Sequence, residues 1–218
     1  MNATHYEIRL CETCGLRYPR TDTQVTGIRC PLCLGTTRLI LTRRLPPSKE
    51  PLPAASSASA PRLEALLDNL RSAWNVGAIF RSADGLGVNK LHLCGITPTP
   101  ENQAVAKTAL GAEKSVTWQY ARNALEQASQ LKANGFRLIA LEQDERAIPL
   151  SHYPLQSLAN TLFIVGNEVT GVDPGLLDLC DHILHIPMLG SKRSLNVEVA
   201  FGIAAYALQP DTSQKETP

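Results

Sequence analysis

The chain has 218 residues, 44% of them hydrophobic and 19% charged, with a formal net charge of +1, which suits one sizeable core plus a small appendage and excludes disorder throughout. No uninterrupted apolar run approaches the ~20 residues that a bilayer span takes, and the opening "MNATHYEIRLCETC" lacks the basic and apolar sections of a secretory leader, so the expected compartment is the cytoplasm. The small total hides an asymmetry: residues 1–45 hold seven arginines against Glu7, Glu12 and Asp22, a balance of +4, and the remainder holds 14 basic and 17 acidic side chains, so the basic end is the candidate for nucleic acid.

The first chemistry in chain order is Cys11-x2-Cys14 and Cys30-x2-Cys33, separated by 15 residues. Two close pairs at that distance let two tight turns present four thiolates to Zn2+. Gly15 and Gly35 fit the turns, Pro31 stiffens the second, and the intervening "YPRTDTQVTGIR" suits a short hairpin. Two disulfides are the alternative, less suited to a reducing compartment. Cys94 and Cys180 stand apart and read as buried apolar residues. Residues 1–44 are thus expected to form a zinc ribbon that folds because the metal substitutes for a core. Its arginines suit docking on phosphates, although four thiolates on one Zn2+ remove about two positive charges from the simple count. RNA docking and a structural or protein-binding role both stay open.

Residues 45–62, "LPPSKEPLPAASSASAPR", carry five prolines among Ser and Ala and read as a semi-extended linker, because such a composition cannot repay the entropy of ordering. Residues 211–218 are expected to be a disordered tail.

From residue 63 to 210 strand and helix patterns alternate. "LEALLDNL" predicts a strand, "NVGAIFRSADGLG" a helix opened by Asn75 as N-cap, and "KLHLCGI" a strand. There follow "ENQAVAKTALG" (helix), "SVTWQYA" (strand), "NALEQASQLKANG" (helix), "FRLIALEQ" and "TLFIVGNE" (strands), "PGLLDLC" (helix), "HILHIPM" (strand) and a last helix over 195–208. The alternation implies an α/β domain with a mostly parallel sheet, and ligands at the strand carboxyl ends.

Three strand-ending loops carry the polar residues. In the first, Arg81 lies six residues past Asn75 with Asp84 as its near acid, which leaves its charge available to a phosphate, although a surface cation on an amphipathic helix would read the same. In the second, a strand runs into Gly166-Asn167-Glu168 and returns to Gly171; Gly166 suits close backbone approach to a planar ligand, although a tight turn with a solvated Glu168 would read the same. In the third, Pro187 ends a strand, Gly190 turns the chain, Lys192 and Arg193 bring charge, and Ser194 or Asn196 can cap the next helix. That helix is apolar on most faces, which places it in the core or in a subunit contact. The G-x-G-x-x-G fingerprint and the phosphate P-loop are both absent.

Taken in order, Asn75-x-Gly77-x3-Arg81, Gly166-x-Glu168-x2-Gly171 and Ile186-Pro187-Met188 with Ser194-Leu195-Asn196-Val197 resemble the three signature motifs of the SpoU/TrmH family of RNA 2′-O-ribose methyltransferases, in the SPOUT superfamily. The resemblance covers residues 63–208. It implies a SPOUT-type parallel sheet whose C-terminal segment forms a trefoil knot, a homodimer with active sites at the subunit contact, and methylation of tRNA or rRNA with S-adenosylmethionine. The family pattern implies that Gly166, Ile186 and Leu195 hold the adenine and ribose, with Met188, Leu141 and Glu168 completing the cofactor set. It maps the catalytic arginine to Arg81, with Asn75, Glu168, Ser194 and Asn196 positioned around it. Asn167 inside the second motif and the ribbon extension depart from better-known members. The competing readings are a non-catalytic RNA-binding or scaffold protein that retains the fold and, without the resemblance, a small-molecule enzyme with a nucleotide cofactor.

Overall fold

The computed structural model describes residues 3–23, 28–45, 61–154 and 160–209. Most of the expected linker and all of the expected tail lie outside them. The chain divides into two units, 1–54 and 55–218.

In the first unit β1 (His5–Cys11) is the middle strand of an antiparallel sheet, with β2 (Arg17–Thr21) on one edge and β3 (Thr37–Arg44) on the other. The hairpin expected within residues 18–29 is not what the described residues form. Arg17–Thr21 pairs backwards with β1 across the first Cys turn, Leu10 opposite Arg17 and Tyr6 opposite Thr21. β1 and β3 escaped the sequence reading because "HYEIRLC" and "TRLILTRR" carry arginines where a buried strand would carry aliphatics. The two Cys turns are built alike, Gly15 N donating to Cys11 O at 3.0 Å and Leu34 N to Cys30 O at 2.9 Å. The left-handed position falls on Gly15 (φ +74°) in the first turn but on Leu34 (φ +59°), not Gly35, in the second. Gly35 is needed for room instead, since a Cβ there would strike the Thr13 side chain.

The second unit is a seven-stranded sheet of β4 (Leu63–Asp68), β5 (Lys90–Cys94), β6 (Thr117–Ala121), β7 (Arg137–Leu141), β8 (Ile148–Pro149), β9 (Thr161–Val165) and β10 (His182–His185), in the order β6-β5-β4-β9-β7-β10-β8. Every pairing is parallel. All six residues of β4 are buried, as a central strand covered on both faces requires. Leu63, Ala65 and Leu67 face one core with Val76, Ile79 and Phe80 of α1 (Ala73–Gly85) and Phe201 of α6 (Val197–Leu208); Leu66 faces a second core with residues of α4 (Ala124–Ala133) and α5 (Pro174–Leu179). Burying each of the larger side chains contributes about 2 kcal/mol.

Two helix starts differ from expectation. α1 is capped by Ser72, whose Oγ accepts from Asn75 N at 3.3 Å; Asn75 is therefore inside the first turn and its amide is free for other work. α6 begins at Val197, two residues late, because Asn196 is its cap, accepting from Glu198 N at 2.8 Å. The helix expected over 101–111 is shorter, α2 (Gln103–Ala109), ending where Leu110 and Gly111 turn left-handed, and a single turn, α3 (Ala112–Ser115), follows beyond it. Cys94 is buried as expected and Cys180 half-buried. Among the described residues no helix is long and apolar enough to cross a membrane.

Candidate active site

The neighbouring strands β4, β9, β7 and β10 end at one edge of the sheet, at Asp68, Val165, Leu141 and His185. The loops leaving them meet over a cleft of about 500 Å³, within the size range of small-molecule sites. The structure brings Leu141, Gly166, Glu168, Ile186, Met188 and Leu195 together on its walls, with Asn75, Ser194 and Asn196 at its polar side. Arg81 does not line it.

The polar side is ordered by hydrogen bonds across three loops. The Glu168 carboxylate accepts from Arg71 N at 2.9 Å and Ser72 N at 3.0 Å, and also from Asn75 Nδ2 at 3.0 Å. It thus caps the positive end of α1, where an anion is favoured. Asn196 Nδ2 donates to Asn75 Oδ1 at 3.2 Å, extending the chain of bonds to the third loop. Partial burial alone would raise the Glu168 pKa, but the N–H groups of Arg71, Glu168 and Ser72 with the Asn75 amide outweigh it and hold the carboxyl below the ordinary range. A depressed carboxylate stabilises above its unfolded value of about 4.3 and loses that contribution only as the pH falls through the folded value. Glu168 is therefore ionised at neutral pH, with both oxygens occupied, and acts as a loop clamp rather than a free base.

Beneath it, the second loop closes on itself. Asn167 N and Gly171 N each donate to the other's carbonyl, at 3.0 and 2.9 Å, and the Asn167 side chain accepts from Val169 N at 2.9 Å while donating to Asn69 O at 2.7 Å. A Cβ at Gly166 would strike the backbone of Gly171 and Val172. Glu142 accepts from Val172 N at 2.9 Å and Gln143 N at 2.7 Å, and Gln143 Nε2 donates to Arg193 O at 3.0 Å. Buried Asp68 accepts from Asp173 N at 2.9 Å, and its desolvation raises its pKa.

Sequence reading passed over Asn167 as a tie, Glu142, His185 and Arg71. Arg71 stands four residues before Asn75, and its exposed side chain borders a shallower hollow with Ser72, Asn75 and Glu168. Only Arg71 had a signal, as a second cation in the first loop. Arg81 is exposed, with no hydrogen-bond or ion-pair partner among the described residues. It sits six residues beyond Asn75 on α1, about 9 Å further along the axis and about 120° around it.

In the first unit the four Sγ atoms of Cys11, Cys14, Cys30 and Cys33 lie within 4.8 Å of one another as free thiols. Cys11 to Cys33 is 3.5 Å and Cys14 to Cys30 is 3.6 Å, and Cys14 N and Leu32 N point at Cys11 Sγ and Cys30 Sγ, both at 3.4 Å.

Residues 62–206 match the model of the SpoU rRNA Methylase family. The chain is 29% identical over 149 residues to a tRNA (guanosine(18)-2′-O)-methyltransferase of Escherichia coli K12, covering 68% of this chain and 63% of that one. It is 31% identical over 146 residues to a 23S rRNA (guanosine-2′-O-)-methyltransferase of Acinetobacter baylyi, covering 64% and 56%. The chain thus spans less than two thirds of the length of either relative. Among solved structures it is similar to the A. aeolicus TrmH/SpoU tRNA modifying enzyme, with TM-score 0.63, 28% identity and coverage of 72% and 79%. It is also similar to the SpoU methyltransferase AviRb of Streptomyces viridochromogenes in complex with the cofactor AdoMet, with TM-score 0.62, 25% identity and coverage of 68% and 60%.

Proposed function

The chain belongs to the SpoU rRNA methylase family, and from that membership we propose that it transfers the methyl group of S-adenosylmethionine to a ribose 2′-hydroxyl of a tRNA or rRNA. The observation that carries the reading is the single cleft lined jointly by Asn75, Gly166, Glu168, Met188 and Asn196, residues up to 121 positions apart. Leu141, Ile186 and Leu195 offer apolar walls to an adenine, and Gly166, without a side chain, lets the second loop fold against Gly171 and Val172 beside them. Bound there, S-adenosylmethionine supplies an electrophilic methyl on a sulfonium. Titrating the protein with S-adenosylmethionine should give saturable binding at one site per chain; no binding would favour the non-catalytic scaffold reading.

A guanidinium such as that of Arg81 is a poor proton acceptor. Its role in this reading is to orient the ribose hydroxyl and stabilise the charge that develops on oxygen, with the adjacent phosphate receiving the proton. Glu168, Asn75 and Asn196 keep the start of α1 and the third loop in register for that contact. Ser194, exposed at the cleft and without a hydrogen-bond partner among the described residues, is available to the substrate.

Arg81 lies off its own cleft, so the proposal includes a homodimer in which Arg81 of the partner subunit completes the site. Trp74 on α1 and Val199, Ile203 and Tyr206 on α6 are exposed apolar side chains on two helices that pack together, a surface that suits a second copy. The C-terminal trefoil knot belongs to the same proposal, and an experimental chain trace decides it. So do a cytoplasmic location and the boundaries of ribbon (1–44), linker (45–62), methyltransferase domain (63–210) and tail (211–218).

The cysteine cluster fits Zn2+. Sulfurs bound tetrahedrally at about 2.3 Å stand about 3.8 Å apart, close to the separations of 3.5 and 3.6 Å, and the two amide N–H groups would favour thiolates. The ion would hold the two turns together, remote from the transfer chemistry. Metal analysis should find one zinc per chain. Chelation should unfold the ribbon while leaving S-adenosylmethionine affinity within about twofold, since metal binding is this unit's folding free energy; a ribbon that stays folded without metal would overturn the assignment.

A further inference from the structure

The sheet of the first unit has two unlike faces. Residues opposite one another across antiparallel strands point the same way, and direction alternates along each strand except at a bulge, here at Ile40 of β3, which stands extra between the pairs Ile8–Leu41 and Arg9–Leu39. One face carries Glu7, Arg9 and Cys11 with Arg20 and Thr37 opposite them, and its charges are matched internally. Arg9 Nη1 donates to Glu7 Oε2 at 2.7 Å, Arg20 Nη1 stands 3.7 Å from the same oxygen, and Arg9 Nε donates to Thr37 Oγ1 at 3.0 Å.

The other face carries Tyr6, Ile8 and Leu10 along β1, flanked by Arg17 and Pro19 of β2 and by Arg38, Leu41 and Arg43 of β3. Arg17, Arg38 and Arg43 are exposed, and none has a hydrogen-bond or ion-pair partner among the described residues. Among the described residues no acid shares the face. Glu7 is paired on the opposite side, Asp22 is held at the sheet's end by Thr4 N and Oγ1 and by His5 N, and Glu12 sits in the first Cys turn.

We propose that this face docks an unpaired stretch of RNA, whose phosphates engage Arg17, Arg38 and Arg43 while bases lie on Tyr6 and the aliphatic strip beside it. The proposal rests on the reading of the second unit as an RNA methyltransferase and gives the first unit a share in choosing the RNA. Arg38 and Arg43 are about 16 Å apart along β3, and Arg17 is about 10 Å away across two strand spacings. Three cations that far apart cannot converge on one phosphate and form a track instead. A polyanion matches a face with cations and no acid, and an aromatic among unpaired guanidiniums is the arrangement on which single strands stack. Residues 1–45 hold seven arginines and no lysine, and arginine is the side chain that forks onto phosphate and lies flat on bases.

The test compares two charge-matched pairs in the full-length, zinc-loaded protein: Arg38→Ala with Arg43→Ala on the face, and Arg29→Ala with Arg44→Ala off it. Affinity is measured for unmodified tRNA and rRNA transcripts across a salt series, with zinc content and thermal midpoint as checks that the ribbon stays folded. The face pair should weaken binding about tenfold and flatten the log–log salt slope by about 1.4, two phosphates' worth for a single strand; the other pair should change the slope by less than half as much. Equal weakening by both pairs would reduce the effect to net charge and overturn the face. Wild-type affinity in the face pair would also overturn it and leave the ribbon to a protein partner. A wild-type protein that binds neither RNA would instead sink the methyltransferase reading on which the proposal rests.

Discussion

Replacing Arg81 with alanine should lower the rate of methyl transfer about 10³-fold while leaving S-adenosylmethionine affinity within about twofold. Removing one donor from a developing oxyanion costs about 10² to 10³ in rate, and a lost phosphate contact adds to that. The cofactor effect is small because Arg81 does not line the cleft, and the stability effect is small because the side chain is exposed and unpaired among the described residues. Arg81→Lys keeps the charge but loses the fork, so it should recover only part of the rate. Single-turnover kinetics with the cofactor saturating reads the step directly; a fully active alanine variant would remove Arg81 from the mechanism. The proposed dimer gives this test a sharper form. Mixing Arg81→Ala chains with cofactor-site variants should restore activity through heterodimers that own one intact composite site, whereas an Arg81 acting within its own chain predicts no recovery.

Gly166→Val should supply that cofactor-site variant. A side chain at this position meets the backbone of Gly171 and Val172, so either the paired turn between Asn167 and Gly171 opens or the loop moves into the cleft. Overpacking of this kind costs about 1 to 3 kcal/mol, while S-adenosylmethionine affinity should fall about 100-fold or more because the floor of the cleft is displaced. Calorimetric titration and a thermal scan separate the two effects. Unchanged affinity would contradict the placement of the cofactor against Gly166.

Much of the second unit could be read from the chain because local pattern and tertiary role agree there. "TLFIV" is apolar after its first residue and "LEALLD" is leucine-rich despite Glu64 and Asp68, and they became the central strands β9 and β4. The cysteine spacing likewise foreshadowed the thiol cluster, since turns of that size leave few other arrangements. Other features depend on partners distant in sequence. Asn75 reads as a helix cap until Ser72 takes that place and frees its amide for Glu168 and Asn196. Glu168 reads as a solvated carboxylate until the start of α1 wraps around it. Glu142 and Asn167 look like ordinary loop residues; only the folded edge shows them fastening backbone N–H groups of the second loop. The strand β1 was invisible because Glu7, Arg9 and Arg20 satisfy one another only once β2 has folded back.

One experiment tests 2′-O-methyl transfer itself: incubation of the purified protein with methyl-labelled S-adenosylmethionine and separate unmodified tRNA and rRNA pools, followed by nucleoside mass spectrometry. A ribose-methylated nucleoside should appear in one pool and be absent when Arg81 is alanine. Label on a base instead of a ribose, or label in neither pool while the cofactor binds at one site per chain, would contradict 2′-O-methyl transfer.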